Sequence, residues 1–145
     1  MVWALTIHAY PQSGNVTMRM HWTRYKALLK VWFWLVRTAP GFLAVSKPSG
    51  RRRVTIQLHG SRAIDKVNRY FAVKPIEDVL RPPKHETGIY KTGKKKGQPW
   101  KRDRLGHGLI LEDNDPNVDL QVPPVLKLGK GESPFIVITL EDIAS

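Results

Sequence analysis

The sequence predicts an α+β domain in which a mixed β-sheet carries two packed helices. Three observations point there. Short runs rich in β-branched and aromatic residues recur at 2–9, 51–60, 118–122 and 134–142. Two stretches of helical period stand between the early runs, the order that lays helices on a sheet. The chain has 145 residues and is 41% hydrophobic, enough for one core and too little for a second domain. The expected organisation is a single domain, 1–145, carrying a basic loop insertion at 81–107.

The first run, "VWALTIHA" (2–9), alternates in its second half and reads as a strand. "YPQSGN" (10–15) has the composition of a turn or loop. From Trp22, with Thr23 as a cap, Trp22, Tyr25, Leu29, Trp32 and Val36 recur at spacings of three and four, one face of a helix that Pro40-Gly41 closes. "RRRVTIQLHG" (51–60) is a strand with Val54, Ile56 and Leu58 on one face. Asp65–Leu80 reads as the second helix, with Asp65 as N-cap and Val67, Tyr70, Phe71, Val73 and Ile76 as its apolar positions. Pro75 in its interior is expected to kink it. Residues 108–116 read as a short strand running into an acidic turn, and 118–122 and 134–142 as the last strands.

Charge is unevenly spread. The net charge is +12, and all but two of the 24 Lys and Arg lie in 1–107. A polyanion, commonly nucleic acid, is the partner such a surplus favours. Seven of the 12 acids lie in 108–145, and Glu112, Asp113, Asp115 and Asp119 fall within eight positions. Clustered carboxylates repel phosphate unless a metal ion stands between them. The chain has no cysteine, which excludes thiolate sites and fits a reducing cytoplasm, and its five histidines show no zinc-ligand spacing. The N-terminal residues do not resemble a signal peptide, and "ALLKVWFWLV" is about half the length of a membrane span. No membrane association is expected.

Three segments carry a likeness to a known family. "DKVNRYFAVKPIEDVL" sets Asp65, Asn68, Lys74, Pro75, Asp78 and Leu80 at fixed intervals. "GLILEDNDPNVD" (108–119) follows with its paired acids Glu112-Asp113, and "YPQSGN" precedes both. Together and in this order they resemble the motifs of RusA-type Holliday-junction resolvases, small dimeric endonucleases common in prophages. In that family the central motif reads D-x-D-N, so Val67 stands where the second acid belongs.

The resemblance implies a RusA-like homodimer that cleaves four-way DNA junctions by metal-assisted phosphodiester hydrolysis. It implies Asp65, Lys74 and Asp113 as catalytic residues and Mg²⁺, or Mn²⁺, as the ion. Asp65 and Asp113 would hold the metal, with Glu112, Asp115 or Asp78 as substitutes for the acid missing at Val67. Asn68, one helical turn from Asp65, would orient its carboxylate from behind. Lys74 would meet the phosphate or leaving oxygen, although Lys74 and Asp78 at i, i+4 also make an ordinary helix ion pair.

The basic segments read as the DNA-binding surface: Arg51, Arg52, Arg53 and Arg62 near the second strand, and Lys94, Lys95, Lys96, Trp100, Lys101, Arg102 and Arg104 in the insertion. Trp100 is placed there as a stacking residue. Two alternatives stand beside this reading. One is a catalytically impaired branched-DNA-binding protein of the same fold, since Val67 removes a ligand. The other is a basic RNA-binding protein in which the acids are incidental.

Overall fold

The computed structural model describes residues 1–111 and 118–143. It is an α+β fold built on one mixed sheet. Strand β1 (Val2–Ile7) leads through a short helix α1 (Gly14–Met18) into the long helix α2 (Trp22–Arg37). A turn of 3₁₀ helix (Phe42–Ala44) precedes strand β2 (Arg52–Gly60), and helix α3 (Lys66–Leu80) follows it. Strands β3 (Lys84–Ile89) and β4 (Pro99–Arg104) come next, then β5 (Val118–Gln121), β6 (Leu126–Lys127) and β7 (Phe135–Asp142).

The main sheet runs β1-β7-β2-β5, with β6 continuing the edge that β5 begins alongside β2. β7 lies antiparallel to β1 and β2, while β5 and β6 lie parallel to β2. Parallel neighbours need a crossover, and α3 supplies the one from β2 to β5. α2 supplies the other, from β1 over β7 to β2. Both crossovers step across the sheet in the same direction, so the right-handed rule puts both helices on the same face.

The core lies between that face and the helices. Alternation along the strands turns Leu5 and Ile7, Val54, Ile56 and Leu58, and Ile136, Ile138 and Leu140 inward, and all are buried. Leu29, Trp32 and Val36 of α2 and Val73, Ile76, Val79 and Leu80 of α3 close over them. Burying each such side chain is worth about 1.5–3 kcal/mol. Thr6, Thr55, Gln57 and Thr139 face the other way and are half-buried, as suits a sheet covered on one side.

Several elements differ from the sequence reading. Residues 14–18, expected as loop, form α1, capped by Ser13, whose hydroxyl accepts from the Val16 amide at 3.4 Å. The long helix is capped by His21, whose ring accepts from the Thr23 amide, rather than by Thr23. Residues 108–111, expected as a strand, are not one: Leu109 and Ile110 spend their amides on the Leu80 carbonyl at the end of α3. The 81–107 segment is not a plain loop, because β3 and β4 pair there as a separate two-stranded antiparallel arm. α3 continues through Pro75, which is buried. No helix among the described residues is long and apolar enough to cross a membrane.

Candidate functional site

The first turn of α3 is built from two distant parts of the chain. Asp65 is its N-cap and is exposed. One carboxylate oxygen accepts from the Asn68 amide at 3.4 Å, and the other accepts from the Asn68 side-chain amide at 2.6 Å. Asn68 thus holds the Asp65 carboxylate in one orientation. Gly14, at the start of α1, sits directly on this turn. A Cβ there would stand 2.5 Å from the Asn68 carbonyl oxygen and 3.0 Å from the Phe71 Cβ, so only glycine permits the approach. The "YPQSGN" and "DKVN" segments, some fifty residues apart, therefore meet.

Asp65 offers a single oriented carboxylate, which suits the oxygen preference of Mg²⁺. Val67, the second residue of α3, is 62% exposed and offers no ligand. Among the described residues no group of three His, Cys, Asp or Glu gathers closely enough to hold a metal ion. Glu112, Asp113 and Asp115 lie outside the described residues. Their flanks are described. Leu109 and Ile110 are bonded to Leu80, and Val118 pairs with Arg52. Both flanks stand where α3 ends, whereas Asp65 stands where it begins, about 22 Å away along the axis at 1.5 Å per residue.

Farther along α3 the charges serve a different purpose. Asp78 is buried, and its carboxylate accepts from the Tyr25 hydroxyl of α2 at 2.5 Å. Lys74 and Arg81 stand 3.5 Å from the same carboxylate. Arg81 also donates to the buried Glu77, and Lys74 lies 3.9 Å from Glu77. Asp78, expected as a substitute metal ligand, is thus enclosed by one phenol and two cations, about 20 Å from Asp65 along the helix. It braces α2 against α3. Lys74 is in the helix ion pair that its spacing allows, and its side chain is 43% exposed. Sequence reasoning missed Tyr25, Glu77 and Arg81 in this cluster. The Glu77-to-Arg81 spacing of four was a usable signal; the contact of Tyr25 with Asp78, across two helices, left none.

The basic residues divide by address. Arg52, expected on a DNA-facing surface, is buried. Its guanidinium donates to Asp142 at 3.0 Å and to the Ser46 and Leu109 carbonyls at 3.0 and 2.6 Å. It also lies over the Trp3 ring, 4.7 Å from the centroid. Alternation with Val54, Ile56 and Leu58 was the signal that placed it inside. Arg53 is on the outer face, paired with Asp119 at 2.9 Å, and this contact, then a bond from Gln121, pulls the Asp119 carboxyl below its usual range. Arg51 is half-buried and Arg62 is exposed in the turn before α3.

The remaining cations ride on the arm. Lys94, Lys95 and Lys96 fill its exposed turn, between Gly93 and Gly97, which both adopt positive φ. Lys95 lies over the Tyr90 ring. Trp100 lies across Gly88 on the paired strand, where a Cβ would stand 2.3 Å from the indole, and the Arg102 guanidinium sits 5.0 Å from the indole centroid. The indole is thus already packed within the arm, which it stiffens. Lys101 pairs with Asp103 at 3.7 Å, and Arg104 reaches the Pro82 carbonyl at the arm's base. No protein-family model matches this chain, and no curated protein or solved structure does.

Proposed function

We propose that this chain is a structure-selective DNA endonuclease of the RusA kind, a cytoplasmic homodimer that resolves four-way junctions with Mg²⁺ or Mn²⁺. The contact of Gly14 with Asn68 carries the reading. It joins two of the three motif segments at one place, which chance likeness of separate segments would not require. The oriented carboxylate of Asp65 supports it further.

In this reading Asp113, with Glu112 and Asp115 beside it, would hold the ion, and Asp65, about 22 Å away along α3 within one chain, would join it only across the two protomers of the dimer. Bound there, Mg²⁺ would supply a water of lowered pKa and would offset charge on the phosphoryl oxygens. Asn68 keeps the Asp65 carboxylate turned outward. Lys74 balances the buried acids of α3 and keeps its ammonium at the surface, where a phosphate reaches it. The arm grips flanking duplex through its lysines. Two protomers suit a four-way junction because both have two-fold symmetry.

A second reading, junction binding without cleavage, is favoured by Val67, which places an exposed valine two residues from Asp65. The location of both flanks of the 112–117 segment at the far end of α3 favours it too. One experiment separates the two. A synthetic four-way junction is incubated with Mg²⁺ and the native chain, Val67→Asp or Asp113→Asn. An aspartate at the second position of α3 is also favourable to the helix dipole, so Val67→Asp should fold as the native chain does. Cleavage by the native chain, lost in Asp113→Asn, supports the endonuclease. Cleavage by Val67→Asp alone supports the binding protein, and junction affinity no better than that for linear duplex overturns both.

A further inference from the structure

A cleft runs between the N-terminal half of α2 and strand β4 of the arm. Its two lobes have volumes of about 450 and 550 Å³, within the range of pockets that enclose small molecules. Trp22 lines both lobes and is 50% exposed. It is not a loose side chain. Its ring stacks on Tyr25, centroids 5.9 Å apart and planes 26° apart, and the Tyr25 hydroxyl is tied to buried Asp78. The wall is thus a fixed aromatic plate with one side open.

The charge of the cleft is cationic. Lys26 and Lys30 line it from α2, and Arg102 and Arg104 from β4. Its two acids are already engaged: Glu86 with Lys84 at 2.9 Å, and Asp103 with His85 at 2.7 Å and Lys101 at 3.7 Å. Both carboxyls are held below their usual range, first by those hydrogen bonds, and Lys26 contributes to the effect on Asp103 across the cleft. Among the described residues no carboxylate lies within ion-pair distance of Lys26, Lys30 or Arg102.

We propose that this cleft binds a single-stranded polynucleotide segment, with a base stacked on Trp22 and its phosphates on Lys26, Lys30 and Arg102. An aromatic plate flanked by cations is the arrangement that non-specific single-strand binding uses. A duplex hides its base faces and cannot use Trp22; a strand unpaired at a branch can. The inference rests on reading the partner as DNA and adds a second place for it, apart from Asp65 and the arm's turn.

The test measures binding of a labelled oligothymidylate and of a four-way junction by anisotropy across a salt series. The proteins are the full native chain, Trp22→Leu and Lys26→Ala/Lys30→Ala. Both lysines are exposed helix positions where alanine is the better helix former, so the double variant folds. Trp22→Leu should weaken oligothymidylate binding about tenfold, and an abasic strand should erase that difference. The double variant should lower the slope of log affinity against log salt by about 1.4, two phosphates at 0.7 each. Both variants binding the oligonucleotide as the native chain does would overturn the cleft while leaving junction binding intact. Displacement by a polyglutamate peptide as readily as by the oligonucleotide, with no dependence on bases, would overturn it in favour of an acidic protein partner. A native chain that binds neither DNA removes this inference and the proposed function together.

Discussion

The Tyr25 hydroxyl donates to the Asp78 carboxylate at 2.5 Å and so ties the first turn of α2 to the last turn of α3 with a polar bond inside the fold. Asp78 keeps Lys74 and Arg81 for company, but among the described residues no other phenol or hydroxyl donates to it. Tyr25→Phe leaves the packing and removes this one donor to a buried charge, at a cost of roughly 1.5–3 kcal/mol. Urea unfolding at neutral pH reads that loss directly. Burial, then the bond and charge of Asp78, push the Tyr25 phenol well above its ordinary value. A raised pKa means that the folded chain keeps the proton the unfolded chain gives up. The contribution is therefore complete below about pH 10 and shrinks as pH rises beyond it. The gap in stability between the native chain and Tyr25→Phe should narrow above that pH. A gap that stays constant would show that the proton is not held by this bond.

His107 gives the opposite dependence. Its ring stacks on Phe33, centroids 4.0 Å apart, meets Phe42 edge-on, and bonds the Phe33 carbonyl at 2.8 Å. Burial lowers its pKa, with Lys47 and Arg37 adding repulsion, against a smaller opposing pull from the Phe33 carbonyl. A lowered pKa means that the unfolded chain takes up a proton the folded chain refuses. Stability from this source is present above about pH 6.5 and is lost as pH falls toward the folded value. His107→Gln should remove that acid sensitivity while weakening the fold at neutral pH by roughly 1–3 kcal/mol through the lost stacking and bond. The readout is the midpoint of thermal unfolding between pH 7 and pH 5; parallel curves for both proteins would refute it.

The alternation of Val54, Ile56 and Leu58 and the three-and-four spacing of Leu29, Trp32 and Val36 were legible because each element has one buried face. The same alternation points Arg52 inward, where it is buried, yet the sequence reading set all three consecutive arginines on a DNA-facing surface. The arm was illegible for the converse reason. Among the described residues β3 and β4 pair with each other and with no other strand, and neither has a buried residue, so no apolar alternation marks them in the sequence. α1 is too short to display a period, and β6 is two residues long. At the site, Asp65 as cap and Asn68 as its partner followed from local spacing. The seat of Gly14 on Asn68 did not, because a contact between segments so far apart leaves no mark in either one.

The arm's turn is where long-range attraction to DNA should concentrate. Lys94, Lys95 and Lys96 are exposed, and none forms an ion pair among the described residues. The turn itself depends on Gly93 and Gly97, and the strands on Trp100 lying across Gly88, so all three lysines can be replaced without unmaking the hairpin. Lys94→Ala/Lys95→Ala/Lys96→Ala should bind a four-way junction more weakly at low salt and converge on the native affinity as salt rises. If each lysine displaces one counterion from duplex, the slope of log affinity against log salt falls by about 2.7, three contacts at 0.9 each. Equal loss for linear duplex and junction would mark these contacts as grip rather than shape recognition, as expected of phosphate contacts. A slope unchanged between 50 and 200 mM salt would mean that the turn does not touch the backbone and that the arm is a stiff projection with another purpose.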